Sequence, residues 1–254
     1  MTITFYDIPG PLPGKAWSPN TLKTRFALNF KNIPYQTTWV EYPDIQALYT
    51  TLGAKPTSTK ADGITPYYTL PLIVDQSELG KDPVIISDSW DIAVYLDEAY
   101  PSTPRLFPKG TKAFQAAFQE LWTDTFIGFA APLLLPRTPQ VALYPASREF
   151  FYRTRQEQFG KPLPEIEPQG EARAKHLKEW EVKLGKIAKV YEQADSEGRY
   201  IMGNEVVYAD FVAAAWVKWM KLVARKEDWK VVDKWHGGLV ERIGERVEEY
   251  VKLP

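Results

Sequence analysis

The sequence contains no cysteine. That excludes a disulfide framework, a protein thiol nucleophile and thiolate metal ligands. If thiol chemistry takes place here, the thiol arrives on a small molecule. Histidine is scarce as well. His176 and His236 are the two present, sixty residues apart, so no multi-histidine metal site is expected within one chain and no metal is assigned. A Ser-His-Asp triad would have to use one of them, and both stand among charged residues where a surface position is the simpler reading. Charge of one sign is missing too. A net charge of −1 gives no electrostatic ground for nucleic acid or a membrane surface as partner. No window of eighteen uncharged apolar residues occurs, so no membrane span is expected. The opening MTITFYDIPG has no basic segment followed by a long apolar stretch. No secretory signal is therefore read there, and the expected location is cytoplasmic.

Aromatic residues are plentiful, with nine Trp, fourteen Tyr and twelve Phe in 254 residues, enough to fill large cores or to line a pocket for flat apolar molecules. That length suits one large domain or two small ones sharing a core.

The residues from Thr2 to Asp7 read as a first strand, and the Pro- and Gly-rich IPGPLPGKAW after it as a loop. Ser18 then offers an N-cap with Pro19 at the first helical position, and Leu22, Phe26 and Phe30 recur on one helical face up to Asn32. Tyr35 to Tyr42 reads as a second strand, which completes a βαβ unit with a parallel pair. Asp44 caps a short helix with Ile45, Leu48 and Leu52, and a long loop runs from Gly53 to Pro66. A third strand opening at Pro71 runs to Asp75, and QSELGKD turns it back into PVIIS, Pro83 to Ser87. Asp88 to Pro101 is an amphipathic helix. The order is βαβαββα, a small mixed sheet with helices on its faces. Three prolines between Pro101 and Pro108 mark a linker. Beyond it the periodicity predicts helices over about Lys112–Ala131, Tyr144–Phe159, Gln169–Asp195, Ala209–Ala224 and Leu239–Val251, an all-α second half.

This plan, with four landmarks, resembles the cytosolic glutathione transferases. The landmarks are Trp17-Ser18-Pro19-Asn20, Leu70-Pro71, Asp88-Ser89, and Gly203 with Ala209-Asp210 at the start of a long apolar helix. The resemblance implies a thioredoxin-like glutathione-binding domain over residues 1–104 and an all-α domain over residues 109–254. It further implies that Ser18 is the catalytic residue, hydrogen-bonded to the glutathione sulfur. Whether its hydroxyl or a nearby backbone N–H, such as that of Asn20, carries the stabilisation stays open. Trp17 and Asn20 would flank the sulfur. Leu70, before a cis Pro71, would pair its backbone with the cysteinyl part, and Asp88 and Ser89 would hold the γ-glutamyl end. Asp88 departs from the usual Glu, and Val207 stands where the family has the Ser or Thr of a capping box. The Trp-Ser-Pro-Asn signature, the long loop and the Asp88 variant look most like the fungal FuA class, related to bacterial β-etherases, whose members bind aromatic wood-derived compounds. A homodimer is implied by the family alone.

For a second substrate, Trp17 is expected to wall the space beside Ser18, together with Phe126 and Phe129 from the apolar run ending at Pro136. The Pro-rich loop Phe159–Pro168 would shape its rim. An enzyme, in which the thiolate conjugates an electrophile, cleaves an aryl ether or reduces a peroxide, competes with a ligandin that holds aromatic compounds with little turnover. Ser18 favours the enzyme. An adaptor role predicts a damaged glutathione site, whereas the site residues are present. The absence of cysteine disfavours deglutathionylation.

Overall fold

Strand β1 (Ile3–Asp7) turns Ile3, Phe5 and Asp7 inward, and helix α1 (Pro19–Phe30) crosses behind it to β2 (Tyr35–Trp39), which pairs with β1 in parallel. The computed structural model describes residues 3–78, 80–194 and 200–252. Thr2 at the start of the first expected strand, Leu79 in the expected turn QSELGKD and Asp195 at the end of an expected helix lie outside them. Strand β2 stops at Trp39 rather than Tyr42, because Tyr42–Asp44 winds into a 3-10 turn around Pro43. Helix α2 (Ile45–Leu52) follows directly. The expected loop from Gly53 to Pro66 contains a two-stranded hairpin, β3 (Ser58–Thr59) and β4 (Pro66–Tyr67). Strands β5 (Leu72–Asp75) and β6 (Val84–Ser87) complete a four-stranded sheet ordered β2-β1-β5-β6, with β5 antiparallel to both neighbours. Helix α3 (Ser89–Ala99) closes the unit.

Helix α1 is buried on nearly every side, although it carries Lys23 and Arg25 and ends at Lys31; the last two are the deepest cations. Both cations are paired. Arg25 binds Asp7 at 2.7 Å and reaches the Tyr35 hydroxyl at 3.1 Å, while Lys31 binds Asp97 at 2.8 Å and the Pro104 carbonyl at 2.9 Å. Asp97 also accepts from the N–H groups of Leu106 and Phe107, each at 2.9 Å. One carboxylate thus ties α1, α3 and the proline-rich connection together, so the expected linker is a fixed strap.

The second half contains α4 (Lys112–Trp122), a π-turn (Thr123–Ile127), α5 (Gly128–Leu134), α6 (Thr138–Ala142), α7 (Pro145–Phe159), α8 (Gly170–Gln193), α9 (Tyr208–Val223), α10 (Lys226–Val232) and α11 (Trp235–Glu245). The helix expected over Lys112–Ala131 is therefore interrupted, and α6 and α10 are short helices that the periodicity does not reveal. The backbone is left-handed at His236, Gly237 and Gly238, so regular winding of the last helix begins at Leu239, as expected, and stops at Glu245. The apolar α9 is the spine, packing Phe211 against Phe26 and Phe30 of α1. Its start is better tied than Val207 implied. Asp210 accepts from the N–H of Val207 and of Ile201, each at 3.0 Å, and the Val207 carbonyl accepts from the Asp210 N–H at 3.0 Å in place of the missing hydroxyl.

Candidate functional site

Ser18 occupies the N-cap position of α1, with extended backbone angles, yet its side chain makes no capping hydrogen bond. Its carbonyl is engaged, accepting from the Leu22 N–H at 2.9 Å and the Thr21 hydroxyl at 3.2 Å. Pro19 has no N–H to satisfy and no acidic residue stands in the first turn. The first N–H groups of the helix therefore have no side-chain cap. Ser18 is 4% exposed and opens onto a cavity of about 720 Å³.

Leu70, Pro71, Asp88, Ser89 and Asn20 line the same cavity. The Leu70–Pro71 peptide is cis. Among the described residues the Leu70 backbone N–H and C=O have no hydrogen-bond partner. The residue before it is pinned from behind, since the Tyr49 hydroxyl donates to the Thr69 carbonyl at 2.5 Å and the Thr69 N–H donates to the Thr57 hydroxyl at 3.2 Å. Asp88 caps α3 through the Trp90 N–H at 2.7 Å while its own backbone stands at φ 74°, ψ 132°, a conformation costing on the order of 1–3 kcal/mol. Behind it Lys23 is buried. Loss of water pulls its ammonium down to about 8, partly offset by the Asp88 carboxylate.

Three predicted residues stand elsewhere. Trp17 is core, 2% exposed, its indole N–H donating to the Pro9 carbonyl at 3.4 Å. Gly10 lies flat against it, and a Cβ there would sit 2.7 Å from the ring and 2.5 Å from the Ala142 carbonyl. The indole closes the loop before Ser18 and does not line this cavity. Phe126 is fully buried, stacked on Trp122 at 4.6 Å and set edge-on to Trp180 at 5.4 Å. Phe129 packs on His176 at 5.3 Å and lines a separate shallow depression with Lys175 and Val182. The apolar run has two apolar neighbours, as its pattern requires, but both are helices. The loop Phe159–Pro168 turns away from the cavity as well. Glu167 ties it to Arg173 and Arg225, each at 2.8 Å. The two histidines bind backbone carbonyls, His176 that of Phe129 and His236 that of Glu181, and neither lines the cavity.

The wall facing Ser18 comes instead from residues the sequence did not single out. Tyr42, Tyr67 and Tyr68 line it from the first half, and Phe150, Arg153, Thr154 and Arg155 from α7. Helix α7 is clasped to the first half by Glu41, which accepts from the Ser147 hydroxyl and N–H, and by Ser147, which accepts from the Tyr42 N–H at 2.9 Å. The Tyr42 ring lies nearly parallel to Phe150 at 6.2 Å and edge-on to Phe151 at 5.6 Å. Burial pushes the Tyr42 hydroxyl up to about 12 against the opposing pull of Arg155. A faint signal existed in REFFYRTR, where Phe150 and Thr154 share a helical face, but nothing local says what that face meets. Among the described residues no group of three or more His, Asp or Glu could hold a metal ion, and no helix is long and apolar enough to cross a membrane.

Family models described as the N-terminal and C-terminal domains of glutathione S-transferase match residues 17–99 and 113–250. Among solved structures, the chain is similar to the glutathione S-transferase CsGST63524 of Ceriporiopsis subvermispora, solved in complex with glutathione. The two are 44% identical with a TM-score of 0.89, covering 100% of this chain and 99% of that one. It is also similar to the glutathione transferase GSTFuA2 of Phanerochaete chrysosporium, at 39% identity and a TM-score of 0.88 over 100% of both chains. A glutathione S-transferase-like protein, ustS, of Aspergillus flavus is 36% identical over 225 residues, 85% of this chain and 79% of that protein. The fold and the FuA likeness read from the sequence are both met.

Proposed function

Because the chain belongs to the glutathione S-transferase family, we propose that Ser18 activates the thiol of bound glutathione and that the thiolate attacks small aromatic compounds seated against α7. The observation that carries this reading is the serine itself. A serine at a helix start ordinarily caps the helix, and here the hydroxyl caps nothing while facing a cavity. An anion at an open helix N-terminus gains roughly 0.3–1 kcal/mol. A hydrogen bond to a charged partner adds about 1.5–3 kcal/mol. With about 1.4 kcal/mol per pKa unit, the two together lower a thiol pKa by on the order of two units. The thiolate is the nucleophile, so more of the cofactor stands ready at neutral pH. In a displacement the sulfur forms a bond to carbon as the leaving group departs with its bonding pair.

The rest of the binding follows from the same wall. The unpaired Leu70 backbone suits the cysteinyl part as an added strand would. Ser89 and the first N–H groups of α3 suit the γ-glutamyl carboxylate, with Asp88 beside it and Asn20 next to the sulfur. Residues 1–104 would then hold glutathione and residues 109–254 supply the far wall. Tyr42, Tyr67, Tyr68 and Phe150 favour a flat ring there, and they equally suit a ligandin that holds aromatic compounds without turnover.

The test is a titration with glutathione, following thiolate absorbance against pH, repeated with Ser18→Ala. Binding with a lowered thiol pKa in the parent protein, and binding without the shift in the variant, supports the enzyme. Binding with no shift in the parent protein leaves Ser18 without this role and supports the ligandin. No binding at all refutes both.

A further inference from the structure

The charged side chains lining the cavity are not equally free. Asp62 is consumed by its own hairpin, accepting from the N–H groups of Ile64 at 2.9 Å and Thr65 at 2.8 Å and from the Thr65 hydroxyl. Asp88 caps α3. Arg153 pairs with Glu157 at 3.5 Å, one helical turn along, and its guanidinium lies 5.3 Å from the centre of the Phe150 ring. Lys60 stands on the opposite wall, in the hairpin. Arg155 has no carboxylate partner among the described residues. Its one hydrogen bond is a long contact of 3.4 Å to the Thr154 hydroxyl. Its guanidinium lies 4.6 Å from the centre of the Phe151 ring, which holds the group flat and half-buried.

Beside it the Tyr42 hydroxyl has no hydrogen-bond partner among the described residues, although its ring is fixed between Phe150 and Phe151. An unmatched planar cation and a free hydroxyl donor thus stand at the edge of an aromatic wall. A guanidinium presents two parallel N–H groups that match the two oxygens of a carboxylate, and a bare ring offers no such match.

We propose that the α7 wall selects aromatic co-substrates that carry a carboxylate, the ring resting on Tyr42 and Phe150 and the carboxylate bridging Arg155 and the Tyr42 hydroxyl. This inference rests on the proposed function for its second substrate but not for its geometry. Glutathione has carboxylates of its own, so the test separates the two sources.

The full-length protein, with glutathione present, is titrated with 4-nitrobenzoate and with 4-nitrobenzamide, a pair alike in ring and size and unlike in charge. Binding is read by quenching of tryptophan fluorescence. The conversion of 4-chloro-3-nitrobenzoate and its amide, in which the thiolate sulfur replaces chloride on the ring, is measured alongside. The expected result is a preference for the carboxylate of tenfold or more at low salt. It should fall to near one in Arg155→Gln and be partly kept in Arg155→Lys, which retains the charge without the fork. Equal affinity of the parent protein for acid and amide overturns the inference. So does an Arg155→Gln variant that keeps the preference while losing affinity for glutathione, because the guanidinium would then serve a carboxylate of the tripeptide. A preference for the acid without any shift of the glutathione thiol pKa overturns the enzyme reading alone and leaves this site standing as a binding site.

Discussion

The two walls of the cavity are built by different means. On the Ser18 side the chemistry is mostly backbone: a helix start, an open peptide at Leu70 and a second helix start at Asp88. These are set by a sheet and by α1, whose Arg25 is buried on Asp7 at 2.7 Å. On the α7 side the chemistry is side chains on an exposed helix that touches the first half through Glu41, Ser147 and Tyr42. Backbone donors cannot be changed without changing the fold. Side chains on a surface helix can be exchanged one at a time. The first wall therefore suits a constant ligand and the second a ligand that varies.

Arginines on the two walls give the widest contrast. Arg25→Ala strands Asp7, which burial already pushes toward the protonated form, and removing one partner of a buried pair costs about 3–5 kcal/mol. Arg153→Ala breaks an exposed pair worth about 0.3–0.5 kcal/mol and a guanidinium contact on the Phe150 ring at 5.3 Å worth about 0.5–1 kcal/mol. Urea unfolding of both variants measures the difference, and equal losses would mean that α7 is as integral as α1. Next in size is Ser18→Ala. Losing a hydrogen bond to a charged sulfur, about 1.5–3 kcal/mol, should slow turnover of a model electrophile at neutral pH roughly 10- to 150-fold with little change in melting temperature.

Lys23 gives a pH signature confined to the first wall. Its folded pKa, about 8, lies below the ordinary 10.5. Below pH 8 both folded and unfolded chains carry the proton, and the fold bears the full cost of the buried charge. Between 8 and 10.5 the folded chain releases the proton first, so this group makes stability rise with pH. Lys23→Met should raise stability at pH 7 by about 1–3 kcal/mol and flatten that rise, as seen in urea midpoints from pH 7 to 10.5. The smallest expected change is that of Tyr42→Phe. It removes a hydroxyl at the cavity wall that has no partner among the described residues, so stability should stay within about 1 kcal/mol and the thiol pKa of bound glutathione should not move.

The same contrast explains which parts could be read from the sequence. Ser18-Pro19, Pro71 and Asp88-Ser89 follow helix-start and strand-opening rules that act over a few residues, so the element boundaries and their order were legible, while the site role of these residues was read from the family resemblance alone. The far wall depends on where α7 docks, which is decided by Ser147 meeting Glu41 across more than a hundred residues of chain. Trp17 was misread for a related reason. Its neighbour Ser18 faces the cavity, but the indole turns back to close a loop over Gly10. Phe126 and Phe129 were read from an apolar run whose second neighbour is α8 rather than a ligand. The short helices α6 and α10 have too few turns for a periodicity to emerge.

The bare start of α1 has a meaning beyond catalysis. A helix whose serine makes no capping hydrogen bond presents its first N–H groups to an anion of the right shape. In the proposed complex the sulfur of glutathione is at once the reactant and the missing cap of the helix that activates it.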